Sequence, residues 1–156
     1  MMKILILCTG NSCRSQMAHG ILQALNTDNQ VFSAGTNPAA YVHPKAIQVM
    51  AELGLDITQH FPKNVNQYLD QQWDYVITVC GGANENCPVF MGDVKHRLHI
   101  GFTDPAEATG TEKGGSSIRF GSRHTVATLG ARIRVIQCCA RDRAAAQPRR
   151  KQFCHP

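Results

Sequence analysis

Cys8-Thr9-Gly10-Asn11-Ser12-Cys13-Arg14-Ser15 stands between an apolar run, Lys3 to Cys8, and a segment of helical spacing, Met17 to Leu25. Ile4, Leu5, Ile6 and Leu7 follow one another without polar alternation, the pattern of a parallel strand buried on both faces. Met17, Ile21, Leu22 and Leu25 recur at helical intervals and form one core-facing stripe. A cysteine separated from an arginine by five residues, at a turn from strand to helix, is suited to holding a tetrahedral oxyanion. Backbone N–H groups of the loop and the first helical turn converge on one point, with the partial positive charge of the helix terminus behind them. Arg14 adds a planar fork of donors able to grip two oxygens. The same field favours a thiolate on Cys8, so nucleophile and anion cradle are one device.

Working outward, Gln30 to Ala34 reads as a second strand ending at Gly35, and Pro38 breaks the chain after it. Pro44 suits the first turn of a helix running to Leu53, stopped by Gly54, with Ala46, Val49, Met50 and Leu53 on its core face. The region from Asp56 to Asp70 carries a weaker pattern, a loop and then a short helix near Val65 to Leu69. Asp74 to Cys80 is β-branched and aromatic, a strand that delivers Cys80 to its carboxyl end, where open α/β sheets keep their chemistry. Lys95 to Ile100 is a fourth, shorter strand, followed by Asp104-Pro105 in a loop at the same edge. Strands alternating with helices imply an α/β fold, a four-stranded parallel sheet flanked by helices with right-handed crossovers.

The 156 residues suit one domain, and their net charge of +5 is unevenly spread. Residues 1–112 carry six Lys and Arg against ten Asp and Glu, whereas 113–156 carry ten against Asp142 alone. The basic tail lacks interleaved tyrosine or tryptophan, heptads and finger spacing, so no nucleic-acid role is expected. No segment approaches the ~20 apolar residues of a membrane helix, and Ile4 to Leu7 is too short for a signal-peptide core; no membrane association and a cytoplasmic location are the expectation. Seven cysteines, at 8, 13, 80, 87, 138, 139 and 154, leave at least one outside any set of intramolecular pairs, which favours redox chemistry over a static disulfide frame.

Cys80 and Cys87 are joined by Gly81-Gly82-Ala83-Asn84-Glu85-Asn86, a polar, glycine-bearing segment able to move. A movable thiol near a nucleophilic thiol fits relayed thiol–disulfide exchange, in which one sulfur attacks and the next resolves. The gap of six residues is too wide for ordinary zinc-ligand spacing, and no metal site is expected.

Four segments carry a family resemblance: Cys8 to Ala18 (CTGNSCRSQMA), Ser33 to Pro38 (SAGTNP), Tyr75 to Pro88 (YVITVCGGANENCP) and Gly101 to Glu107 (GFTDPAE). In this order they resemble the thioredoxin-coupled arsenate reductases, relatives of the low-molecular-weight tyrosine phosphatases that share their fold. The loop alone fits either branch, or a protein that binds oxyanions or arsenicals without turnover; the pair Cys80 and Cys87 selects the reductase. The resemblance implies that the amides of Thr9, Gly10, Asn11, Ser12 and Cys13, with Arg14 and Ser15, hold arsenate, and that Cys8 attacks it while Asp104 acts as general acid. It also implies that Cys80 and then Cys87 relay the disulfide to reduced thioredoxin, with no bound cofactor. Asn11 would keep the loop's shape, and Gly10 would occupy a position that a side chain obstructs. Cys13 could be a bystander or form a protective disulfide with Cys8.

The resemblance covers roughly residues 2 to 112, and 1–112 is expected to be the main body, a phosphatase-like domain. His19 stands where such enzymes commonly have a glutamate, and Phe61 and Lys63 stand where some members supply cation ligands, so no potassium is expected and His19 is expected to be an exposed helix residue. From Lys113 to Pro156 the family's closing amphipathic helix is not recognisable: Val126, Leu129, Ile133 and Ile136 share a helical face, but Gly130 interrupts it. A composition of this kind is what a reading frame shifted near codon 112 would produce.

Overall fold

The computed structural model describes residues 1–80 and 89–101. Strand β1 (Lys3–Cys8) is followed by helix α1 (Arg14–Leu25), β2 (Gln30–Gly35), α2 (Pro44–Glu52), a 3₁₀ turn (Val65–Tyr68), β3 (Trp73–Thr78) and β4 (Val94–His99). The described strands form one parallel sheet in the order β2-β1-β3-β4. The expected four-stranded parallel α/β sheet is therefore the observed one.

β1 is central and its side chains alternate between two cores, as the period of a strand requires. Ile4 and Ile6 pack with Met17, Ile21 and Leu22 of α1 and Val49 and Met50 of α2. Leu5 and Leu7 pack on the opposite face with Ala34, Tyr68, Trp73, Val76 and Phe90. Both faces being covered is the physical reason that the strand reads as continuous apolar sequence. Trp73 anchors the second core: its indole Nε1–H donates to the Tyr68 carbonyl at 3.1 Å, and its ring meets Tyr68 edge-on at 5.7 Å.

Two helix boundaries depart from the apolar pattern in different ways. α1 begins at Arg14, three residues before its first apolar stripe residue, because Arg14, Ser15 and Gln16 are buried against the loop rather than the core. Periodicity of apolar residues cannot register a helical turn whose buried face is polar. α2 begins at Pro44 as expected, capped by the His43 ring, which accepts from Lys45 N–H at 3.2 Å. It ends at Glu52, with Gly54 in the left-handed conformation at φ 74° that glycine favours.

The third strand ends at Thr78, two residues before the expected Cys80. Val79 N–H still donates to the Leu7 carbonyl at 2.9 Å, so the chain stays alongside β1 beyond the strand. The register aligns Leu7 with Thr78, which puts Cys80 one residue further along the sheet's carboxyl edge than Cys8. β4 runs along β3, tied by the Lys95 ammonium to Asp74 at 2.7 Å.

Candidate active site

Every strand of the parallel sheet points its carboxyl end the same way, and β1 ends on Cys8. The loop from Cys8 to Ser15 then turns into α1 with Asn11 in the left-handed region at φ 45°, a conformation that asparagine tolerates better than most residues. Its carbonyls are turned outward. Those of Thr9, Gly10 and Ser12 accept from the N–H groups of Asn37 at 3.0 Å, Ala39 at 2.8 Å and His43 at 2.9 Å. With these carbonyls bound to the 37–43 segment, the Asn11 N–H faces inward and donates to Cys8 Sγ at 3.1 Å.

The direction of the remaining hydrogen bonds follows from their partners. Asn11 Oδ1 receives the backbone N–H of Lys63 at 2.8 Å, so Nδ2 is the atom that faces Ser15 Oγ, also at 2.8 Å. Ser15 Oγ accepts there and lies 2.9 Å from Cys8 Sγ; toward a thiolate, which only accepts, the Ser15 hydroxyl is the donor. Cys8 Sγ thus lies within hydrogen-bond reach of both a backbone amide and a serine hydroxyl.

The expected loop residues come together. Cys8, Asn11, Arg14 and Ser15 are buried, whereas Thr9, Gly10 and Ser12 are partly open to solvent and form the mouth. Arg14 is the first residue of α1, at the helix terminus whose positive end meets the loop. Cys8, Cys13 and Cys80 are buried thiols of one core cluster. Cys87 and Asp104 lie outside the described residues, as does the tail from 113 to 156.

Two expectations are corrected. A side chain at Gly10 would meet nothing closer than Ser12 Oγ at 3.5 Å, an ordinary contact, so no protein atom requires glycine there. The glycine that the loop requires is Gly35, whose Cβ would lie 2.3 Å from the Thr9 carbonyl oxygen and 3.0 Å from Asn11 N. The second correction is His19, expected to be exposed. It is half-buried, its Nδ1 lies 3.2 Å from Ser33 Oγ, and its ring stacks at 4.4 Å on His60. Burial, then the proximity of His60 and Lys63, hold its pKa down to about 3, so it is neutral at ordinary pH. His60 and Lys63 are lowered as well, chiefly by burial. A histidine at this position was readable as a residue type, but its burial depends on β2 and the 57–63 segment closing over α1.

Sequence reasoning also missed Gln16. Its side chain is fully buried behind the loop, with Nε2 2.9 Å from the Asn11 carbonyl and 3.0 Å from that of Phe61. A glutamine beside a nucleophile loop carries no signal by type, because its role exists only once residue 61 is folded against it.

Residues 3–112 match the low molecular weight phosphotyrosine protein phosphatase family, and the chain belongs to that family. Among the proteins it is similar to are arsenate reductases. The arsenate reductase of Halalkalibacterium halodurans is 45% identical over 111 residues, 70% of this chain and 78% of that protein. A solved arsenate reductase in the phosphate binding state superposes with a TM-score of 0.64 at 29% identity, covering 85% of this chain and 99% of its own. The thioredoxin-dependent arsenate reductase of Corynebacterium glutamicum gives a TM-score of 0.60 at 28% identity, covering 89% of this chain and 61% of that one. Among the described residues no helix is long and apolar enough to cross a membrane.

Proposed function

We propose that the protein reduces arsenate to arsenite by a relay of three thiols, drawing its electrons from reduced thioredoxin. Arsenate sits among the loop amides and the Arg14 guanidinium. Cys8 thiolate attacks arsenic(V), forming an S–As bond, and the departing hydroxide leaves as water with a proton from Asp104. Cys80 thiolate then attacks the Cys8 sulfur. The S–As bond breaks, its electron pair passes to arsenic, arsenite departs, and a disulfide joins residues 8 and 80. Cys87 attacks Cys80, which releases Cys8 as a thiolate and leaves a disulfide between 80 and 87 for the thioredoxin dithiol to reduce. Two thiols supply the two electrons, so no resident cofactor enters the cycle.

The observation that supports this reading best is that Cys8 and Cys80 are buried in one cluster at the sheet's carboxyl edge, where Val79 N–H still donates to the Leu7 carbonyl. A hydrolytic phosphatase needs the loop and not a second buried thiol beside it. The names of the relatives support arsenate as the oxyanion, and the thioredoxin-dependent neighbour supports the reductant. The absence of a membrane-length helix among the described residues is compatible with a cytoplasmic enzyme.

The test supplies arsenate with thioredoxin, thioredoxin reductase and NADPH and follows nicotinamide oxidation. Cys8→Ser and Cys80→Ser should abolish arsenite release. Cys87→Ser should release about one arsenite per chain and then stop, with the 8–80 disulfide found by peptide mass. Undiminished steady turnover in Cys87→Ser would sink the relay, and hydrolysis of phosphomonoesters without arsenate reduction would favour the phosphatase reading.

A further inference from the structure

A largely buried chain of polar groups runs behind the loop, and the hydrogen bonds from His60 and Ser33 through Gln16 and Asn11 to Ser15 run in one direction, toward Cys8. Gln16 Nε2 lies 2.9 Å from the Asn11 carbonyl, 3.1 Å from Asn11 Oδ1 and 3.0 Å from the Phe61 carbonyl, and two of these are backbone oxygens that only accept. The nitrogen of the Gln16 amide must therefore face them, and Oε1 must face the other way. There it meets Ser33 Oγ at 3.3 Å and His60 Nδ1 at 3.1 Å. An amide oxygen only accepts, so His60 carries its proton on Nδ1 and the Ser33 hydroxyl points at Gln16. Ser33 Oγ is left to accept from His19 Nδ1–H. From Gln16 the direction continues through Asn11 Nδ2 to Ser15 Oγ and from the Ser15 hydroxyl to Cys8 Sγ.

We infer that Gln16 is a positioning residue for Cys8, acting through Asn11, with Ser33 and His60 locking the orientation of its amide. Asn11 is in the left-handed conformation, and its backbone N–H and, through Ser15, its side chain both address the sulfur. Gln16 grips Asn11 at both its carbonyl and its Oδ1, so it restrains the backbone and the side chain together. It also fastens the loop to residue 61, while Lys63 N–H joins it on Asn11 Oδ1. Hydrogen bonds aligned in one direction polarise one another, so the donor strength felt at Cys8 depends on members that never touch it. Ser33 and His60 neither contact Cys8 nor need to change protonation for this role, because Nδ1–H donates in the neutral ring as in the charged one.

This inference takes Cys8 as the nucleophile of the reading above, but its test uses no arsenate, so the two can fail separately. Gln16→Met keeps the side chain's approximate size, removes both amide donors and adds no charge that could act on the sulfur directly. The full-length reduced protein is treated with iodoacetamide, and the rate of Cys8 modification is followed by peptide mass at about pH 7 and about pH 10, below and above the range in which thiols ionise. The variant should react about fivefold more slowly at the lower pH and at the parent rate at the higher one, since a weakened donor chain matters only while the proton is contested. A merely structural role would alter access and change both rates alike; that result, or unchanged rates at both pH values, overturns the proposal. Should Gln16→Met not fold, His60→Ala, which removes one donor to Gln16 Oε1 from a half-buried position, should show the same pH-dependent loss at about twofold. Parent-like rates at both pH values in that variant would also overturn it.

Discussion

His19 shows what a single side chain can impose when its partners exclude water. The folded protein refuses a proton on this ring until about pH 3, chiefly because of burial. The unfolded chain accepts one below about pH 6.5. Between those values the unfolded state binds more protons, so stability falls as the pH drops, with a limiting slope of about 1.4 kcal/mol per pH unit for one group. His60, lowered mainly by burial, acts in the same direction. Urea unfolding between about pH 6.5 and pH 5.5, above the range where most carboxylates titrate, reads the histidine contribution, and the difference between parent and variant reads that of His19. His19→Gln should flatten the slope measurably, and an unchanged slope in that variant would remove His19 from the account. The residue type was visible in the sequence, but a histidine on a helix looks the same whether water or β2 stands next to it.

At the scale of elements, the loop's shape is made jointly by the end of β2 and the beginning of α1. β2 pairs with β1 through Cys8 and Gly35, so the two strand ends lie side by side. Gly35 N–H donates to the Lys63 carbonyl at 2.8 Å, while Thr9 O, held by Asn37 N–H at 3.0 Å, fills the space a side chain on residue 35 would need. Gly35→Ala should therefore displace the loop rather than a flexible side chain, costing about 1–3 kcal/mol by overpacking and slowing Cys8 chemistry with it. Gly10→Ala, by comparison, should leave stability within about 0.5 kcal/mol; the pair of variants in thermal unfolding distinguishes the two glycines. The strands and α2 were legible because their buried faces are apolar and periodic. The first turn of α1 was not, since Arg14, Ser15 and Gln16 bury polar groups against a loop. The end of β3 was read two residues late because Val79 and Cys80 stay buried after the ladder ends at Thr78.

Across the whole molecule, the family match stops at residue 112, where the charge changes from ten carboxylates against six cations to ten cations against one carboxylate. We propose that residues 1–112 are the working body and 113–156 an addition that the chemistry does not use. A chain ended after Glu112 should then modify Cys8 at the full-length rate and melt within about 5 °C of it, the shift of roughly 1 kcal/mol in a body of this size. A larger fall in melting temperature would assign the tail a share of the sheet's cover. By itself the sequence determined the parallel α/β sheet and the Cys8 to Arg14 loop between its first strand and first helix, because strand burial, helix periodicity and that spacing are local properties of the chain. Only the tertiary structure decided that Cys80 shares a buried cluster with Cys8, that a side chain at residue 35 but not at residue 10 would collide with backbone, and that Gln16 and His19 stand behind the Cys8 loop. Those facts depend on contacts between residues up to some seventy positions apart, which strand register and the closing of the 57–63 segment bring together.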